Sequence, residues 1–274
     1  MSLPTLAEWN ALDDDVRTVV VDQLLEKIPD GYVDPRSVGH RNPTPLPQFI
    51  HRETGVLFHV VFGGPAVIGM TEKRFDRLRR ITIDDDEDGL VPVVELDEAR
   101  ELLPPREVSV APALVADQVL PFGVIARLGV DPARITVNAV KVHGIGPLLR
   151  ALTPLGWRAP SEAEWEYACR AVDDDVLDLE PPVRATGRLG VTGLRQMGMW
   201  AELCRDSWHD DLAELPAQGP AGLGHEVLRG RGSGARFAGL HGSPAWNEAL
   251  WPGRRRQASW PNAVSLRPWV ELKG

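Results

Sequence analysis

The sequence predicts an α+β fold that is rich in loops and carries a helical extension at its N-terminus. Three observations lead there. Over residues 3–28, apolar side chains recur at helical spacing, at Val16, Val19, Val20, Leu24 and Leu25. They follow a Thr5/Glu8 pair with the spacing of a capping box. Residues 55–62 read GVLFHVVF, a β-rich run closed by Gly63, Gly64 and Pro65. Beyond residue 180 the chain is rich in Gly, Pro, Arg and Trp and shows little alternation, which is the mark of irregular chain.

The elements follow in turn. Pro29, Pro35, Pro43, Pro45 and Pro47 make residues 29–50 an extended connector. Residues 1–50 are therefore expected to be the N-terminal helix and its Pro-rich connector, and residues 51–274 the main domain. The 55–62 strand turns into AVIGM. Residues 71–105 form a charged excursion, and Arg106–Val110 alternates like a strand. The stretch VADQVLPFGVIARLG supplies a helix with Pro121 in its first turns. ITVNAVKV, residues 135–142, supplies a strand, and Gly146–Leu152 a short helix. Eight of the nine tryptophans lie between Trp157 and Trp269. In a region short of strands, indoles build a core by buried area, and core is weighed above an aromatic ligand platform.

The chain has 274 residues, 43% hydrophobic and 25% charged, enough for a full core in one large domain or two small ones. No run of eighteen apolar residues is present, so no membrane span is expected. The first residues, MSLPTLAEWNALDDDV, do not pair a basic region with an apolar one, as a secretory signal would. Cys169 and Cys204 are too few for a disulfide framework, and a cytoplasmic setting is the simplest inference. The net charge of −9 and pI near 5.3 argue against nucleic acid and anionic membranes as partners. The acidic runs at residues 13–15, 84–88 and 173–175 lack EF-hand spacing and read as solvated loops. Against that background the last third is locally basic, with Arg229, Arg231, Arg236 and Arg254–Arg256.

The most specific segment is WRAPSEAEWEYACRA, Trp157–Ala171. Ser161 and Glu164 stand at the spacing of a second capping box, just after Pro160. This segment closely resembles the signature of the formylglycine-generating-enzyme family, the sulfatase-modifying factors, R-L-P-T/S-E-A-E-W-E-Y-A-x-R. The matches are Arg158, Pro160, Ser161, Glu162, Ala163, Glu164, Trp165, Glu166, Tyr167, Ala168 and Arg170. Gly193–Asp206, GLRQMGMWAELCRD, resembles the family's G-L-Y-D-M-x-G-N-V-W-E-W-C-x-D. Gly63, Gly64, Gly69 and Met70 fall in register with its opening hairpin. HEVLRG, residues 225–230, and VSLRP, residues 264–268, occupy the places of its closing motifs. The resemblance covers about residues 55–270 and implies the variant C-type-lectin-like fold of this family.

It also implies chemistry that can be checked position by position. Active oxidases of the family bind Cu(I) through two cysteines in their last third and oxidise a substrate cysteine to formylglycine. Here no cysteine follows Cys204, and soft thiolates are what Cu(I) requires. Copper is therefore not expected, and Cys169 and Cys204 read as packing residues. The family's calcium site uses an Asn and a Glu. Met199 stands at the first position and Glu202 keeps the second, so calcium remains an option only if loop carbonyls complete it. The related iron branch needs an H-x-x-x-H pair in a fused helical domain. The first histidine here is His40, and that branch is set aside. His59, in an apolar strand, reads as a hydrogen-bonded core residue. No cofactor is expected. The resulting expectation is a catalytically degenerate domain that binds a protein, an acidic peptide or a small anionic ligand. The binding face would be its Trp/Arg-rich last third, with Arg229, Arg236, Trp246 and Trp260 as ligand residues. The rival expectation is an oxygen-dependent formylglycine-generating oxidase or a related oxidative enzyme.

Overall fold

The N-terminal extension folds as two helices, α1 (Leu6–Ala11) and α2 (Asp14–Lys27), where the periodicity alone suggested one. Leu12 is extended and ends α1, and the Asp13 carboxylate then caps α2 by accepting the Val16 N–H. The Thr5/Glu8 capping box is present, with both reciprocal bonds made. Of the apolar residues that suggested a single helical face, only Val20 and Leu24 are buried. Val16, Val19 and Leu25 are 43%, 55% and 49% exposed. They are spread around the helix rather than along one stripe, so no single face can bury them all. The description of this computed structural model covers residues 3–34, 46–73, 75–76, 100, 102–136, 138–170, 188–189, 194–195, 200–210, 216–220, 222–230, 254–256 and 263–273.

Strands β1 (Tyr32–Val33) and β2 (Gln48–His51) come from the stretch read as a connector. They pair antiparallel with each other, and β2 pairs with β3 (Leu57–Val61). A hairpin follows, β4 (Gly64–Ile68) with β5 (Arg106–Val110), then β6 (Ala113–Ala116). Glycine is required at the head of this hairpin, because a Cβ on Gly63 would lie 2.1 Å from the Val110 carbonyl oxygen. Pro121 stands at the N-cap of α3 (Phe122–Arg127), so the predicted helix loses its first residues to β6. The predicted 135–142 strand shrinks to β7 (Val140–Lys141), between 3₁₀ turns at Pro132–Arg134 and Val142–Gly144. Helix α4 (Ile145–Leu152) lies where expected, and the signature segment is helix α5 (Glu162–Arg170). Short strands complete the chain: β8 (Arg188–Leu189), β9 (Leu194–Arg195), β10 (Glu202–Leu203), β11 (Val227–Arg229), β12 (Arg254–Arg256), β13 (Ala263–Val264) and β14 (Trp269–Glu271).

The main sheet runs β1-β2-β3-β6-β14, and each neighbouring pair is antiparallel. Period-2 alternation sends its residues to two sides. Phe58, Val60, Leu114 and Ala116 join a large core with Leu24, Ile125, Leu148 and Trp157. Val61, Ala113 and Val115 join a second cluster with Trp165, Tyr167, Cys204 and Trp269. The sheet is thus apolar on both faces, and α5 covers the second one. Among the described residues no helix is long and apolar enough to cross a membrane.

Candidate functional site

Helix α5 is fixed at its start by the second capping box. Ser161 N–H donates to Glu164 Oε2 at 2.6 Å, and Glu164 N–H donates to Ser161 Oγ at 3.1 Å. The same Glu164 carboxylate accepts both terminal nitrogens of Arg158, each at 2.8 Å. One turn apart on another side of the helix stand Glu162 and Glu166. Two like charges at i, i+4 repel unless a cation joins them. Arg229 is that cation. Its Nη1 donates to Glu162 Oε1 at 2.9 Å and its Nη2 to Glu166 Oε2 at 2.8 Å. Its guanidinium carbon lies 5.1 Å from the centre of the Trp165 ring. Glu166 also accepts the Gly69 N–H, and Asp206 accepts the Glu162 N–H. One buried arginine therefore joins α5, strand β11 and the β4–β5 hairpin. Burial alone disfavours its charge, but Glu166 and Glu162 outweigh burial and hold its pKa above the ordinary arginine value.

This corrects the expectation for Arg229. It is fully buried and paired to two carboxylates, so it anchors the signature helix and offers no face to a ligand. The other expected ligand residues, Arg236, Trp246 and Trp260, lie outside the described residues. Glu202, expected at a calcium position, is buried against Arg267. Arg267 donates from Nε and Nη2 to the two carboxylate oxygens at 2.9 and 3.1 Å. The positive charge at that carboxylate is thus supplied by the chain itself. Arg267 further donates to the Ala116 and Arg195 carbonyls and ties β6 to the last strands. Among the described residues no group of three His, Cys, Asp or Glu side chains is arranged to hold a metal ion.

Cys169 and Cys204 are both free thiols, and both pack with the second apolar cluster. Cys204 is fully buried. Burial raises its pKa first, then the negative charges of Asp206, Glu162 and Glu202, with Arg229 opposing them, so the thiol is held far from its reactive thiolate form.

A second polar core lies at the edge of the sheet face that α5 covers, and sequence reasoning found only its centre. His59 is buried, as expected. Its Nε2 sits 3.0 Å from Asp117 Oδ1 and 3.3 Å from Gln48 Nε2. Asp117 Oδ2 accepts Arg195 Nε. The signal available in the sequence was a lone aspartate directly after the apolar run ALVA. Burial raises the Asp117 pKa, but His59 and Arg195 outweigh it and the net shift is downward. At Glu164, burial again raises the pKa, while Arg158, the Ser161 N–H and Arg205 bring it below the ordinary value. A carboxylate with a lowered folded-state pKa contributes stability above its unfolded pKa, and that contribution is lost as pH falls through the folded value. The melting temperature is therefore expected to fall steeply below about pH 4, where unfolded carboxylates begin to titrate. The fall should be shallower in Asp117→Asn. Calorimetric melting between pH 6 and pH 3 checks this, and parallel curves for the two proteins would contradict it.

No family model matches the sequence, and no curated protein matches it. Among solved structures the chain is similar to PvdO from Pseudomonas aeruginosa, with a TM-score of 0.54 at 15% identity. The alignment covers 85% of this chain and 100% of that one. PvdO is a formylglycine-generating-enzyme-like protein. At this identity the likeness concerns the fold, a mixed arrangement of helix and antiparallel sheet of the α+β class.

Proposed function

We propose that this chain is a formylglycine-generating-enzyme-like domain, with the variant C-type-lectin-like fold, that binds a ligand rather than oxidising a cysteine. The observation that carries the reading is the state of Cys204. A sealed thiol with a raised pKa, and no later cysteine in the sequence, is a poor start for a Cu(I)–thiolate site. The ligand face belongs to the Trp/Arg-rich stretch within residues 229–269, with Arg236, Trp246 and Trp260 as its contact residues. Arg229 anchors the base of that segment instead of joining the ligand. Arginine and tryptophan suit an acidic peptide or a small anionic molecule. Two free thiols suit a reducing, cytoplasmic setting.

The test has two arms. Cu(I) is titrated anaerobically against a chromogenic chelator, and a cysteine peptide is incubated with protein, copper and air. Neither tight copper binding nor an aldehyde product is expected. In parallel, a fluorescent hexaglutamate peptide is titrated by anisotropy. Arg236→Gln and Trp246→Ala should each weaken binding by roughly tenfold, the scale of an interface hot spot. Copper-dependent aldehyde would replace this reading with the oxidase. A peptide affinity indifferent to both substitutions would remove the ligand face.

A further inference from the structure

Arg205 has hydrogen-bonding capacity that its neighbours do not fill. Its backbone is well held: the N–H donates to the Pro160 carbonyl at 2.8 Å, and the carbonyl accepts the His225 N–H at 3.3 Å. Its side chain is only 15% exposed. Yet its two ion pairs, to Glu164 Oε1 and Glu271 Oε1, are both 3.7 Å long, beyond hydrogen-bond length. Its Nε is buried and has no hydrogen-bond partner among the described residues. A guanidinium presents five donors in a planar fork and is usually matched by a carboxylate at 2.7–2.9 Å.

The group nearest to filling that role is itself loosely held. Glu271 lies on β14 with its side chain 69% exposed, and one oxygen, Oε1, serves two arginines. It accepts Arg158 Nε at 3.0 Å and faces Arg205 Nη1 at 3.7 Å. Arg158 is 19% exposed and otherwise bonds to Glu164 and the Ala159 carbonyl. Two guanidinia thus converge on a single exposed oxygen. Burial lowers the Arg205 pKa first and the charge of Arg158 next, while Glu164, Glu271 and Asp206 act in the opposite sense. Beside the pair, His225 holds a positive φ of 52°, uncommon outside glycine, in the loop that bonds to the Arg205 carbonyl.

We infer that Arg158 and Arg205 form a carboxylate-binding subsite for an acidic peptide, in which Glu271 is an internal stand-in that the peptide carboxylate displaces. Glu271 is largely exposed, and ion pairs to exposed groups contribute little, so displacing it costs little. A carboxylate on a separate chain is not held by β14, and at Arg205 Nη1 it would replace the 3.7 Å contact of Glu271 with a bond of hydrogen-bond length. The subsite is argued without Arg236, Trp246 or Trp260 and does not rest on the ligand face proposed above.

The experiment uses the full chain and two probes, a fluorescent hexaglutamate peptide and inorganic phosphate. Removing the stand-in with Glu271→Gln is expected to tighten peptide binding about three- to tenfold, because competition for the two arginines ends. Arg205→Met should weaken it by a similar factor. If Arg205→Met lowers the melting temperature too far to compare, Arg205→Lys keeps the charge, loses the fork and should still weaken binding. The gain from Glu271→Gln should persist in an Arg236→Gln background, which separates this subsite from the other face. An unchanged or weaker peptide affinity in Glu271→Gln overturns the proposal. A gain for phosphate as large as that for peptide overturns the peptide assignment.

Discussion

Replacing Arg229 with methionine should cost about 3–5 kcal/mol of folding free energy, the range for breaking a buried ion pair by removing one partner. The reason is what remains. Glu162 and Glu166 would stay in the interior, one helical turn apart, with the cation between them gone. The loss therefore measures two stranded carboxylates more than the worth of the original pairs. That distinction is testable. In the triple variant Arg229→Met, Glu162→Gln, Glu166→Gln, no charge is left to strand, and most of the stability should return. Urea unfolding monitored by tryptophan fluorescence gives both numbers. A loss below about 1 kcal/mol for the single change, the scale of an exposed pair, would mean that water reaches these carboxylates.

The second large effect is expected at Trp165. Its side chain is 1% exposed, in the cluster between α5 and the sheet, and Arg229 lies over its ring. Trp165→Ala should cost about 3–5 kcal/mol through lost burial and the cavity left behind. Ser161→Ala, four positions earlier, removes one half of the capping box and should cost on the order of 1 kcal/mol. The two tryptophan contributions, packing and the cation–π contact, are separated by a double-mutant cycle with Arg229→Met. Residues in contact are non-additive, so the double variant should lose less than the sum of the single losses. Equal and negligible losses for Ser161→Ala and Trp165→Ala would show that this segment is not a packed helix.

What the sequence could and could not reveal follows from how far each feature depends on distant chain. Both capping boxes were legible because their partners are three residues apart and the chemistry is local. Helix α4 was legible because its apolar residues repeat on one face. The break between α1 and α2 was missed because Leu12 does not interrupt an apolar pattern, and only the Asp13 cap marks it. Strands β1 and β2 were missed because they are two and four residues long and surrounded by proline. They are strands because β3 offers them an edge, not because of their own composition. Arg229 was misjudged for a similar reason. A local excess of arginine says nothing about which arginine points inward, and its partners are 67 and 63 residues away. The clue was on the other side of the pair. Glu162 and Glu166 share one helix face between buried residues, and two such carboxylates require a cation from elsewhere.

The place of β14 in the main sheet also has a consequence for synthesis on the ribosome. Arg267, just before that strand, bonds to the Ala116 carbonyl across 151 residues. At about 5–20 residues per second, β6 emerges on the order of ten to thirty seconds before the strand that will cover its edge. Throughout that interval the nascent chain presents unpaired backbone beside Leu114 and Val115, an apolar edge open to any other extended segment nearby. The yield of folded protein is then governed by how quickly translation reaches residue 270 compared with how often two such edges meet. Slower elongation or higher polysome density should divert more of the chain into aggregates without altering the finished fold.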